Sequence, residues 1–179
     1  YFQWNVLHHT TLEKACFDID GVLCVDPTED QNDDGPKYRD FILNAPPLFI
    51  PRSKIGTIVT SRLEKYRSET ETWLKANNVK YNDLVMLDLP DMEARQRANN
   101  HAEHKAKAYL LKPYVLFVES NLSQAVEINR IAKKPVLCTE NFEMIFDSES
   151  VFYNIKSGKY FPFLRKFALK VRDKIRTIK

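Results

Sequence analysis

Short apolar runs alternate along this chain with stretches whose apolar positions recur every three or four residues. That alternation is the order of a parallel sheet covered by helices on both faces. Residues 15–19 read as a first strand and 54–60 as a second. Leu63, Tyr66, Thr70, Trp73 and Leu74 then fall at helical spacing, and Asn77-Asn78 stops that helix. Residues 84–87 form a third strand, after which Asp91 caps a long, polar, alanine-rich helix running toward Leu111 and ended by Pro113. A fourth strand over 114–118, a helix over 122–132 and a fifth strand over 136–138 complete the pattern. The expected fold class is therefore α/β, a Rossmann-like parallel sheet of about five strands flanked by helices.

Residues 24–53, between the first two strands, exceed an ordinary connection and read as a small cap or flap over the ligand crevice. Their acid cluster, Asp30-Gln31-Asn32-Asp33-Asp34-Gly35, imitates the opening of a calcium loop. The glutamate that should close such a loop falls at Phe41, which excludes calcium and leaves a solvated turn as the plain alternative. Residues 1–150 are thus read as a catalytic domain carrying this insert, and 151–179 as a separate basic, amphipathic C-terminal helix.

With 179 residues, 44% apolar and 28% charged, the chain can bury a core without disulfides or a structural metal. Cys16, Cys24 and Cys138 lack metal-type spacing and read as reduced, buried thiols. No apolar run approaches the roughly 20 residues that span a bilayer, and no signal-peptide pattern opens the chain. A cytoplasmic location is expected. A first residue of Tyr1 leaves open a processed, tagged or excised piece of something longer.

The net charge of +3 hides a division: residues 156–179 hold nine Lys or Arg against Asp173, a net +8, which leaves −5 for the rest. Leu164, Phe167, Val171, Ile175 and Ile178 line one helical face of that tail. It could serve as a peripheral contact with an anionic membrane or an acidic subunit, or pack on its own domain. Nucleic acid is disfavoured as a partner, since the body is acidic and the tail has no recognised binding fold.

The densest chemistry lies in Asp18-Ile19-Asp20-Gly21-Val22-Leu23, directly after the apolar run Ala15-Cys16-Phe17. Alternate residues of a strand face the same way, so Asp18 and Asp20 can converge on one metal and one phosphate. Gly21 permits a tight turn with its N–H close to a ligand. In a parallel sheet the ligand crevice lies at the strands' C-terminal ends. There the second strand ends in Thr60-Ser61-Arg62 and the fourth in Glu119-Ser120-Asn121, with Lys105 preceding it as a fixed positive charge.

In these residues the chain resembles the haloacid dehalogenase (HAD) superfamily of phosphohydrolases, over about residues 14–138. The resemblance implies a nucleophile at Asp18, a general acid and base at Asp20, a phosphoryl-binding hydroxyl at Thr60, a phosphate-binding lysine at Lys105 and a metal ligand at Glu119. Gly21, Ser61, Arg62 and Asn121 are the accompanying candidates for substrate contact. A carboxylate attacking a phosphate monoester meets repulsion on the order of 4 kcal/mol per charge pair at 4 Å and an effective dielectric near 20. A cation is needed, and Mg2+ held by Asp18, Glu119 and the Asp20 carbonyl would supply it. Asp20 favours phosphatase over dehalogenase chemistry, because halide departure needs no proton. The chain departs from the family after Glu119, where a second acid is replaced by Ser123-Gln124, so that water, Asn121 or Gln124 must complete the metal's shell. Lys107 competes with Lys105, which is preferred for its distance from the strand.

A narrower resemblance links Trp4-Asn5-Val6-Leu7-His8-His9, Asp26-Pro27-Thr28-Glu29, Asn32-Asp33-Asp34-Gly35, Thr60-Ser61-Arg62-Leu63-Glu64-Lys65-Tyr66-Arg67 and Met86-Leu87-Asp88-Leu89-Pro90 to HAD-type domains fused or adjacent to phosphoribosyltransferases. It implies a phosphoribosyl-bearing substrate, a phosphoribosyltransferase partner or fusion, and substrate contacts from Arg62 and Arg67, although both also read as surface charge at the start of a helix, the preferred reading for Arg67. His101 and His104 have no third ligand at metal spacing and read as surface histidines. The expected activity is a magnesium-dependent phosphomonoesterase on a small phosphorylated sugar or sugar conjugate. The alternatives are a nucleotidase or nucleic-acid-end phosphatase, and a catalytically weak HAD-like module that binds a phosphorylated ligand or a partner.

Overall fold

The apolar run Ala15–Phe17 forms β1, buried on both faces as a central parallel strand must be. Ile55–Leu63 forms β2, Tyr81–Leu87 β3, Leu116–Glu119 β4, Val136–Cys138 β5 and Glu143–Ile145 β6. They make one six-stranded sheet in the order β3-β2-β1-β4-β5-β6, parallel except for β6, which returns antiparallel beside β5. The computed structural model describes residues 8–98 and 100–146. The basic segment 151–179 and Trp4-Asn5-Val6-Leu7 lie outside the described residues.

Strand alternation sorts the core into two layers. Ala15, Phe17, Ile58, Leu116, Val118 and Leu137 face one side, packing with Trp73 and Leu74 of α2 (Arg67–Ala76) and Tyr38, Phe41 and Ile42 of α1 (Pro36–Asn44). Cys16, Val59, Phe117, Val136 and Cys138 face the other. They meet Ala106 and Tyr109 of α4 (His101–Leu110) and Ala125, Val126 and Ile128 of α5 (Leu122–Ala132). Cys16, Cys24 and Cys138 are buried and free. No helix among the described residues is long and apolar enough to cross a membrane.

Several elements differ from the sequence pattern. The second strand runs on through Leu63, because Leu63 pairs with Leu87 beyond a register shift after Val59, so Ser61 and Arg62 lie inside the strand. The long helix expected after Asp91 is two helices, α3 (Met92–Ala98) and α4. Asn100, with its backbone at φ −110° and ψ 23°, separates them, and asparagine competes poorly for helix interiors. Asp91 does cap, its Oδ1 accepting from the Ala94 N–H at 2.8 Å. Strand β6 is a three-residue edge, too short for periodicity to register.

The insert is built, not loose. Pro36 opens α1 at its first turn, where a missing N–H costs nothing. The chain then returns alongside its own beginning, with Val25 N–H donating to Pro46 O and Leu48 N–H to Leu23 O. Trp73 Nε1 donates to Ala45 O at 2.8 Å and Tyr38 packs edge-on to Tyr66, fastening the insert to α2 and the turn before it. Asp34 clamps its other end, accepting from Lys65 Nζ, the Tyr66 hydroxyl and the Met92 N–H. At the sheet's base Gly56 is obligatory, since a Cβ there would sit 2.5 Å from Glu13 O and 2.8 Å from Ala15 O.

Candidate active site

Strand β1 ends by donating the Asp18 N–H to Val118 O at 3.0 Å, so the Asp18 side chain emerges at the crevice between β1 and β4. Ile19 O then accepts from the N–H groups of Val22, Leu23 and Cys24, winding the chain into a tight turn. Gly21 occupies that turn at φ 72°, and a Cβ there would collide with Ser120 and lie 2.8 Å from Asp26 Oδ2. Glu119 ends β4 beside Asp18, because β1 and β4 pair in parallel. From α4, Lys105 reaches under both carboxylates.

Lys105 Nζ donates to Asp18 Oδ2 at 2.6 Å, to Glu119 Oε2 at 2.6 Å and to Gln124 Oε1 at 3.0 Å, its side chain 2% exposed. The remaining oxygens are also engaged. Asp18 Oδ1 accepts from the Ile19 N–H, and Glu119 Oε1 from the N–H groups of Ser120 and Asn121. Burial raises Asp18 to about 7; Lys105 opposes that rise and the Glu119 and Asp20 charges add to it. For Lys105, burial works against the charge, but the two carboxylates outweigh it and hold the ammonium above its ordinary range.

Asp20 has a different partner. Arg62 Nη2 donates to its Oδ1 at 2.6 Å, and Nε lies 3.2 and 3.1 Å from its two oxygens. Arg62 is itself buried, and Asp20 outweighs that burial to keep its guanidinium firmly charged. The substrate contact expected of Arg62 is therefore replaced by a grip on Asp20, whose side chain stays 20% exposed toward the cavity. Arg67 is spent on Glu64 and Glu71 and lines no part of the site.

These groups open on a cavity of about 580 Å³. Asp18, Asp20, Ser61, Lys105, Glu119 and Asn121 line it, whereas Thr60 and Gly21 stand behind its wall. Thr60 is fully buried, its hydroxyl oxygen accepting from the Arg62 N–H at 3.1 Å. Asn121 is committed to capping α5, its Oδ1 accepting from the Gln124 N–H. His101, expected at the surface, faces the cavity, and burial with the nearby Lys105 charge lowers its imidazole below the usual histidine range.

Sequence reasoning missed Asp26, Arg95 and Glu140, all of which line the cavity. Glu140 follows the C-terminal end of β5, so extending the strand-end rule to that strand would have found it. Asp26 and Arg95 carry no local signal; the insert brings one and α3 the other. Burial, then the Asp20 and Glu119 charges, raise Asp26 above the usual carboxylate range.

Among the described residues no three His, Cys, Asp or Glu side chains converge as a metal cluster. What the site offers is the carboxylates of Asp18 and Glu119 and the Asp20 carbonyl, which accepts from Ser120 Oγ at 3.2 Å. These are hard oxygen donors, and Mg2+ takes one or two carboxylates while leaving its other positions to water and phosphate, so the donor set fits in kind. The chain matches no family model, no curated protein and no solved structure.

Proposed function

We propose that this protein is a magnesium-dependent phosphomonoesterase of the HAD type, acting through an aspartyl phosphate on a small, hydroxyl-rich phosphate ester such as a sugar phosphate. One observation carries the reading. Asp18 and Glu119 on neighbouring parallel strands share a buried lysine, with a second, outward-facing aspartate two residues beyond the first.

Asp18 attacks phosphorus through a carboxylate oxygen while the ester P–O bond breaks. The departing alkoxide takes a proton from Asp20. Asp20, now ionised, removes a proton from water, whose oxygen attacks phosphorus, breaks the bond to Asp18 and releases inorganic phosphate. Arg62 holds the Asp20 carboxylate in position for both steps. Lys105 meets the phosphoryl oxygens with positive charge. Mg2+, held by Asp18, Glu119 and the Asp20 carbonyl, would supply further charge neutralisation there.

The lining supports a hydrophilic substrate. Among the described residues Pro27 is its one aliphatic member, and Asp26 and Glu140 offer carboxylate oxygens to sugar hydroxyls. A 5-phosphoribosyl group has the right polarity. The test is phosphate release from a panel of sugar phosphates, with Mg2+ and with chelator, by the native chain and Asp18→Asn. Release that needs Mg2+ and disappears in Asp18→Asn is expected; release that persists in Asp18→Asn removes the nucleophile. A second reading, a module that binds a phosphorylated ligand without turnover, draws on the full engagement of the Asp18 and Glu119 oxygens by Lys105 and backbone donors. It predicts saturable binding with no release.

A further inference from the structure

Arg95 stands apart from the other cations of the site. It reaches from α3 across the end of β2, Nη1 donating to Ser61 O at 3.5 Å and Nη2 to Asn32 Oδ1 at 3.2 Å. Both acceptors are neutral. Lys105 is matched by two carboxylates and Arg62 by Asp20. Five carboxylates line the same cavity, Asp18, Asp20, Asp26, Glu119 and Glu140, yet none makes an ion pair with Arg95 among the described residues. Ser61, whose carbonyl Arg95 meets, lines the cavity, and its buried hydroxyl has no hydrogen-bond partner. A half-buried guanidinium lacking a counter-charge and an orphaned hydroxyl on one wall are complementary to an anion.

This anion differs from the phosphoryl group that is transferred. The latter must lie against Asp18, where Lys105 already supplies charge. Arg62 turns to Asp20, whereas the neighbouring Ser61 offers its carbonyl oxygen to Arg95 on the cavity wall. We infer that Arg95 and Ser61 form a second anion subsite, which selects substrates carrying a carboxylate or a second phosphate in addition to the scissile one. Asn32 ties the subsite to the insert, so the insert's placement sets the distance between the two anionic groups that fit. The inference rests on reading the cavity as a phosphate-ester site.

The experiment uses the full chain bearing Asp18→Asn, which binds without turnover, and a series of alkyl phosphates of increasing length, each with and without a terminal carboxylate. Calorimetry gives the affinity ratio within each pair. At one chain length the carboxylate should strengthen binding roughly tenfold or more, the scale of a charge-assisted hydrogen bond. Adding Arg95→Gln should bring that ratio to about one, and Arg95→Lys should keep part of it. A merely structural Arg95 would weaken both members of each pair and leave the ratio untouched. A ratio near one at every length, or a ratio unchanged in Arg95→Gln, overturns the subsite. Phosphate release by the native chain with no Arg95-dependent preference removes the subsite alone. A preference in a chain that never releases phosphate removes the phosphatase reading alone.

Discussion

Replacing Lys105 with methionine keeps an unbranched side chain of similar length and removes the one charge shared by Asp18 and Glu119. In the folded protein those two carboxylates and the ammonium are almost wholly enclosed, with side-chain exposures of 8%, 1% and 2%. Breaking a buried pair by deleting one partner costs about 3–5 kcal/mol, because the remaining charge has neither water nor counter-ion. For a domain of this length that is a fall in Tm of roughly 6–20 °C. The loss should also depend on pH in a definite direction. Burial lifts Asp18 to about 7 even with Lys105 holding it down. A carboxyl raised on folding binds more protons when folded, so its stability contribution is complete below the unfolded value and is lost as pH rises through the folded one. Without Lys105 the Asp18 value rises further, and the deficit of Lys105→Met should widen between about pH 6 and about pH 9. Urea unfolding of both proteins in chelator at those two pH values measures it. A deficit below about 1 kcal/mol, or one equal at both pH values, would refute the buried triad.

Gly56→Ala should cost about 1–3 kcal/mol in urea unfolding, since its Cβ meets the Glu13 and Ala15 carbonyl oxygens as well as the Tyr114 ring; unchanged stability would show that β1 and β2 have room to part. Asp34 stands below the usual carboxylate range: burial acts against this, but Lys65, the Met92 N–H and the Tyr66 hydroxyl outweigh it. Its contribution is therefore present above the unfolded value and lost as pH falls through the lower folded one. Asp34→Ala should speed proteolytic cleavage within residues 24–53 near neutral pH, and the difference from the native chain should fade below about pH 4. Equal cleavage at neutral pH would mean that Tyr38 and Trp73 hold the insert without it.

The strand ends were the readable part of the site. Each of Asp18, Asp20 and Glu119 closes or follows a short apolar run, and a parallel sheet places such ends together whatever the connections between them. Lys105 was readable only as a basic residue on a helix before β4; that it is buried, bridging two acids, depends on the packing of α4 against the sheet. Arg62 misled, because a guanidinium after a strand looks free to meet substrate until the register of β2 sets it against Asp20. Helix α1 was hidden by its acidic, proline-marked approach, which reads as loop, and its apolar face makes sense only against α2 and Tyr66.

What the sequence determined by itself was local and periodic: the alternation of buried strands with amphipathic helices, the turn at Gly21 and the positions of the acids at strand ends. Those follow from backbone geometry and from the spacing of apolar residues, which act over a few positions along the chain. Pairing across the chain was decided only in three dimensions, as in Lys105 between Asp18 and Glu119, Arg62 on Asp20, Asp34 on Lys65 and Met92, and Arg95 left among neutral acceptors. A charge finds its partner through the space that helix packing and strand register create, and no short window of sequence contains that distance.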